Sequence, residues 1–238
     1  MNLLTRILCA AAMTVAVAAR AADAFEGTLH IAITSDKGQT MNMTQTFKGN
    51  AIRIDPDNAP VSMIMDMDKR VMTTLIHERH MYMTRPMPTA DEARKMAADG
   101  KSPEHDPDIQ ATGKTEVILG YKCNQYLVKD GDKTTELWLA PDLGVFNGLM
   151  QSGGGGGNPF SRGKQTAVEA KWEKVFKGKP GYPLRVVTHK GSGTDFKMEV
   201  TKVEKGGVSS AQMMAPSDYQ EFKMPAGLGG FFPGGGGR

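Results

Sequence analysis

The side chains best suited to chemistry in this chain are soft ones. Methionine occurs 17 times in 238 residues, and much of it recurs at every second position. Met41 and Met43 lead to Phe47; Met63, Met65 and Met67 follow; Met81 and Met83 close the series. Thioethers line adaptable apolar surfaces, and together with imidazole they also suit Cu(I). His77-Glu78-Arg79-His80 directly precedes the last pair, so His77, His80, Met81 and Met83 form the alternative metal set. The tetrapeptide is not the H-E-x-x-H zinc signature, whose histidines lie one helical turn apart. His30, His105 and His189 are scattered, and no G-x-S-x-G elbow accompanies them, which argues against a hydrolase and leaves no residue assigned as catalytic. Gly113-Lys114-Thr115 ends like a phosphate loop, but Asp108 stands where its first glycine belongs and a strand starts where a helix should. Gly153–Gly157 lacks a following Lys-Ser/Thr. Asp130-Gly131-Asp132 lacks the other ligands of a calcium loop and reads as a hairpin turn. Asn42-Met43-Thr44 fits a glycosylation sequon but falls inside an expected strand, and no role is given to it.

The elements that position these residues are strands. Leu29, Ile31 and Ile33 alternate with Thr28, His30, Ala32 and Thr34, and Met41, Met43 and Phe47 with polar residues. Met63 and Met65 alternate with Ser62, Ile64 and Asp66, and Met81 and Met83 with His80, Tyr82 and Thr84, so that the intervening positions are mostly polar. Such alternation sends one set of side chains to one face of a sheet. Turn signals divide the runs at Asp36-Lys37-Gly38, Lys48-Gly49-Asn50, Asp55-Pro56-Asp57-Asn58, Asp68-Lys69 and His77-Glu78-Arg79, and connections this short imply antiparallel pairing. Thr89–Ala98 reads as a short helix with Thr89 as N-cap, and residues 99–113 as a polar connection. Strands resume over Thr115–Leu119, Cys123–Lys129 and Thr134–Leu139. Pro141–Met150 reads as a helical turn and Gln165–Phe176 as either a helix or a strand. Leu184–His189 and Thr194–Val203 read as the last strands. A curved sheet with one apolar face must cover that face or hold something against it.

Composition narrows the class. Hydrophobic residues make up 39%, and the 28 glycines bring the apolar share to about half, as in ordinary globular proteins. The 29 basic residues are nearly balanced by 26 acidic ones, with no dense Lys/Arg run, which excludes a disordered polyelectrolyte and argues against a nucleic-acid partner. Residues 1–21 have the form of a signal peptide. Arg6 is the basic start, Ile7–Ala19 is an apolar run too short to span a bilayer, and small residues offer cleavage before Ala22 or Phe25. No later run is long enough to cross a membrane. Cleavage removes Arg6 and Arg20 but no acidic residue, leaving a formal net charge of about +1. It also removes Cys9, so Cys123 is left alone and a disulfide framework is excluded. Cys123 is expected to be a buried, unreactive thiol in a strand.

Two segments carry a family resemblance. One is Phe47-Lys48-Gly49-Asn50-Ala51-Ile52-Arg53-Ile54-Asp55 with the hairpin ending in Met81-Tyr82-Met83. The other is Glu116-Val117-Ile118-Leu119-Gly120-Tyr121-Lys122-Cys123-Asn124-Gln125-Tyr126-Leu127-Val128, followed by Thr135-Glu136-Leu137-Trp138-Leu139-Ala140. Over roughly residues 25–205 the chain resembles the DUF4412 family of exported bacterial proteins, related to the LolA/LolB-like lipoprotein carriers. The resemblance implies an α+β fold: a strongly curved antiparallel sheet, a LolA-like half-barrel, with short helices closing its concave face over an apolar cavity that holds acyl chains. Arg53 matches a basic position in the family's first hairpin region. The methionine content, the pentaglycine and the Gly-Phe tail are not features of the family.

The expected organisation is a signal peptide over 1–21, a single β-rich domain over 22–224 and a disordered Gly-rich tail over 225–238. The expected function is a non-enzymatic periplasmic carrier with no cofactor. Its partner is an apolar small molecule, lipid or lipoprotein, held by Met41, Met43, Phe47, Met63, Met65, Met67, Met81 and Met83. The alternatives are a periplasmic copper-binding protein using His77, His80, Met81 and Met83, and a ligand-free module that meets another envelope protein.

Overall fold

The structure, a computed structural model, describes residues 24–87, 108–144, 181–191 and 193–223. Its strands in chain order are β1 (Gly27–Ser35), β2 (Thr40–Lys48), β3 (Ala51–Pro56), β4 (Val61–Asp66), β5 (Val71–Ile76), β6 (Met81–Pro86), β7 (Asp108–Ile118), β8 (Tyr121–Asp130), β9 (Lys133–Ala140), β10 (Tyr182–Lys190), β11 (Gly193–Lys205) and β12 (Gln220–Glu221). All twelve belong to one sheet, ordered β12-β6-β5-β4-β3-β2-β1-β11-β10-β9-β8-β7. Two meanders, β1–β6 and β7–β11, are joined where β1 pairs antiparallel with β11. Only β12 runs parallel to its neighbour, β6.

The α+β expectation is overturned: this is a mostly-β protein. Among the described residues the only helical pieces are 3₁₀ turns at His77–Arg79, Pro141–Leu143 and Ser210–Met213. No helix covers a face of the sheet there. Extended backbone instead runs further than the turn residues suggested, since β7 starts at Asp108 inside the stretch read as a polar connection. A bulge at its Ala111/Thr115 register shift, with Gly113 at a φ of 75°, falls where that connection was expected to end. The helix expected over 89–98, the 165–176 segment, the pentaglycine, the 1–21 segment and the tail after 224 all lie outside the described residues.

The sheet is strongly curved. Phe47 on β2 and Tyr182 on β10 are separated by β1 and β11, roughly 14 Å along a flat sheet. Their ring centroids are nevertheless 6.1 Å apart, edge to face. The Tyr182 hydroxyl donates to Gln45 Oε1 across the same gap at 2.8 Å, and burial pushes the Tyr182 phenol pKa far up. Phe25 adds a second edge-to-face contact to Phe47 at 5.7 Å. Around these rings pack Leu29, Ile31, Leu137, Leu139, Leu184 and Val200, in one cluster on the inner face.

Two glycines set the close approaches on which this curvature depends. Gly27 opens β1 at a φ of 150°, and a Cβ there would lie 2.1 Å from the Glu204 carbonyl oxygen on β11. At Gly181, before β10, a Cβ would lie 2.7 Å from the Ala140 carbonyl oxygen. Neither contact can be relieved by a side chain moving aside, because the obstacle is backbone. Gly27→Ala should therefore destabilise the protein by about 3 kcal/mol or more. Urea unfolding would show it as a lower midpoint, and a midpoint unchanged from wild type would contradict this packing at the β1–β11 seam.

Candidate apolar binding face

The strand register decides which side chains share a face. One cross-strand row runs Gln45, Ile54, Met63, Thr74, Met83; the next runs Phe47, Ile52, Met65, Met72, Arg85. Met43 continues the inner face of β2 opposite Ile31 and Pro56, and Met41 lies opposite Ile33. Met81 stands two residues before Met83 on β6. Met41, Met43, Phe47, Met63, Met65, Met81 and Met83 are thus brought to one face. Met67 lies just beyond β4, where its N–H donates to the Asn50 carbonyl, and its side chain packs against the inner cluster. Met72 belongs to the same face and has no alternation to announce it. β5 reads Val-Met-Thr-Thr-Leu-Ile, apolar on both parities, so only its pairing with Met65 assigns it.

Burial divides this face in two. Around β1, β9 and β10 it is dry, with Leu29, Leu137 and Leu184 wholly buried. On β4–β6 the thioethers of Met63, Met65, Met72 and Met81 are only half-buried. Met43 and Met83 are the buried members of the set. Aliphatic side chains fill the closed part, and methionines crowd the half-open one.

The opposite face of β3–β6 is covered by the segment after β11, which sequence reasoning had not given a role. Lys48 donates to the Val208 carbonyl at 2.8 Å, and Arg53 Nη1 donates to the Gln212 carbonyl at 3.0 Å. Arg53 is meanwhile held bidentate by Asp55 and is on the row of Ile64, the face opposite the methionines. A Ser209/Gln212 capping box shapes the turn there. The strap ends as β12, with Gln220 N–H on the His80 carbonyl and Phe222 N–H on the Tyr82 carbonyl. It explains why Ser62, Ile64 and Leu75 are buried on the face the alternation marked as polar.

His77 pins this strap. Its Nε2 lies 2.7 Å from Ser62 Oγ and its Nδ1 lies 2.7 Å from the Tyr219 hydroxyl. A neutral imidazole satisfies both by donating through one nitrogen and accepting through the other. A serine beside a histidine is also the start of a nucleophilic dyad. Here Ser62 is 3% exposed, so the pair is shut away from any substrate and acts as a latch. His80 stacks on Tyr219 and contacts Asp218 at 2.9 Å, both partners of that pair being largely exposed. Both ring nitrogens of His77 are engaged, one with Ser62 on β4 and the other with Tyr219 on the strap, on the face opposite Met81 and Met83. The four residues of the copper set are therefore not brought together. No group of three or more His, Cys, Asp or Glu suited to a metal ion occurs among the described residues.

Cys123 on β8 is completely buried in the inner cluster. Burial raises its thiol pKa, helped by the Glu116 carboxylate and opposed by a backbone hydrogen bond and by Arg185. Arg185 spans Glu116 and Glu199 across β7, β10 and β11. Among the described residues no helix is long and apolar enough to cross a membrane.

The family model "Domain of unknown function (DUF4412)" matches residues 25–219. The chain belongs to the DUF4412 family. The matched region takes in both meanders and the strap as far as Tyr219. No curated protein matches the sequence. Two crystal structures of PNGF-II, in C2 and P21 space groups, are similar at 10% identity and a TM-score of 0.41. They cover 82% and 84% of this chain, which spans 30% and 31% of theirs.

Two outcomes follow for the strap and the thiol. His77→Ala leaves the Ser62 hydroxyl buried without its partner and should cost about 1–3 kcal/mol. Amide exchange over residues 209–222 should accelerate in this variant, and exchange identical to wild type would contradict the latch. Cys123 should react with a thiol reagent only as fast as the protein unfolds; prompt labelling of the native protein would contradict its burial.

Proposed function

We propose that this protein is a non-enzymatic carrier that holds an apolar ligand against the half-open methionine face of β4–β6. The ligand class is an acyl chain, free or as part of a lipid or lipoprotein. On this reading residues 1–21 direct export, the protein works in the periplasm, and it carries its cargo in the manner of the LolA/LolB-like proteins.

The observation that carries the reading is the division of one continuous face. Its closed part is built from buried aliphatic and aromatic side chains with Met43 among them, and on β4–β6 Met63, Met65, Met72 and Met81 are half-buried beside a buried Met83. Contiguous apolar surface left to water is costly, at roughly 25 cal/mol per Å², and patches of this kind mark binding sites. Methionine suits such a surface because its unbranched, polarisable chain repacks around guests of different shape. An acyl chain needs no hydrogen-bond partner, and the cross-strand rows Met63–Thr74–Met83 and Met65–Met72 offer few. The burial of Ser62 and the separation of His77 from Met81 and Met83 weigh against hydrolysis and against Met/His copper binding.

A fluorescent fatty-acid probe tests this. The wild-type protein should bind it, and Met65→Lys should weaken binding by about 1.4 kcal/mol or more, a factor of ten. Circular dichroism should remain native, because a half-buried lysine can reach water. Met43→Lys, buried in the closed part, should instead unfold the protein. A wild-type protein that does not bind the probe, or a folded Met65→Lys variant that binds it equally well, would overturn the reading.

A further inference from the structure

We propose that Met63, Met65 and Met72 form a reversible oxidation site, at which an oxygen-transferring oxidant such as hypochlorous acid turns the apolar face polar and releases its ligand. The release rests on the function proposed above; the oxidation site does not.

Placement is the first argument. Met65 and Met72 are direct partners across β4 and β5, and Met63 stands two residues along β4 on the same face. Three thioethers therefore occupy a patch two strands wide. The other face of these strands is built from Ile64 and Leu75, so methionine is confined to the side that is half-open. Beyond the adaptable packing that suits a binding surface, the thioether adds oxidisability, which leucine and isoleucine lack.

Accessibility is the second argument. Met63, Met65 and Met72 are half-buried, whereas Met43 and Met198 are 3% and 4% exposed in the closed core. Oxidation follows exposure, so the patch reacts before the core, though after Met214 on the strap, which is 59% exposed. Each sulfur gives up two electrons and takes the oxygen of hypochlorous acid; the chlorine leaves as chloride and the proton goes to solvent. A methionine sulfoxide reductase reverses the step, with the oxygen leaving as water while a dithiol becomes a disulfide. The sulfoxide is a strong dipole. At a half-buried position its oxygen can stay hydrated, so the fold survives. An acyl chain laid over it would strip that water and leave the dipole unpaired.

The experiment titrates the full chain with hypochlorous acid and maps sulfoxides by peptide mass spectrometry. Met63, Met65 and Met72 should oxidise about tenfold faster than Met43 and Met198. Fatty-acid probe affinity should fall about tenfold at that stage with circular dichroism unchanged, and reductase treatment should restore it. In a variant carrying Met63→Leu, Met65→Leu and Met72→Leu, whatever its starting affinity, oxidant should no longer change probe binding. The corresponding triple glutamine variant, which mimics the polar sulfoxide, should lose binding without oxidant. Core methionines oxidising as fast as the patch would overturn the site. Undiminished binding by the oxidised wild type would overturn the release. If the untreated protein binds no probe, the proposed function and the release fail together, and the oxidation ranking alone still decides the site.

Discussion

Everything in this protein hangs on the pairing of β1 with β11. Short hairpins join β1 to β6, and β9 reaches its neighbour β10 only after residues 141–181, but β1–β11 is the seam that makes one sheet of the two meanders. It brings Leu29 beside Val203 and Ile31 beside Val200, and it lets β2 and β10 curl toward each other until Phe47, Gln45 and Tyr182 meet. The seam tolerates no Cβ at Gly27. Because its two strands come from the start and the end of the domain, closing it means ordering the chain between them, a large loop-closure cost met before long-range contacts repay it.

The seam also determines which parts of the face are dry. The sheet curls where the two meanders join, bringing Phe47 against Tyr182, and there aromatic and aliphatic side chains fill the interior. Away from it, on β4–β6, the same face loses its opposing wall among the described residues and is lined by methionine. The opposite face of those strands is sealed by the strap from Val208 to Glu221, held through Arg53 and His77. One side of β4–β6 is thus covered by the strap, while on the other, among the described residues, Met63, Met65, Met72 and Met81 are half-buried. The apolar ligand proposed above would account for this asymmetry with the side chains that are present.

Much of this was legible in the sequence. Period-two alternation marked β1, β2, β4 and β6, and parity alone put Met63 with Met65 and Met81 with Met83; that the separate stripes share one face then follows if the hairpins pair in register. The turn residues 36–38 and 48–50 fall where hairpins turn. What was not legible has specific causes. β5 is apolar on both parities, so Met72 could be placed only by its partner. Gly113, where the polar connection was expected to end, lies at a bulge within β7. The strap carries no periodicity, because its interactions run from backbone carbonyls of Val208 and Gln212 and from single side chains such as Tyr219. Helices over the concave face were what the family resemblance implied; among the described residues the cover is extended chain, and it lies on the opposite face. His77 read as a candidate metal ligand beside methionine, yet a histidine at a strand end points to the opposite side from residues four and six positions later when a turn intervenes.

The central claim is that the half-open face of β4–β6 is where an apolar ligand lies. Photocrosslinking tests it most directly, using a fatty acid with a diazirine along its acyl chain and peptide mass spectrometry to locate the adducts. The account predicts adducts concentrated on peptides carrying Met63, Met65, Met72 and Met81, suppressed by excess unlabelled fatty acid. Saturable adducts confined to the strap or to β7–β9, or no saturable adducts at all, would contradict it.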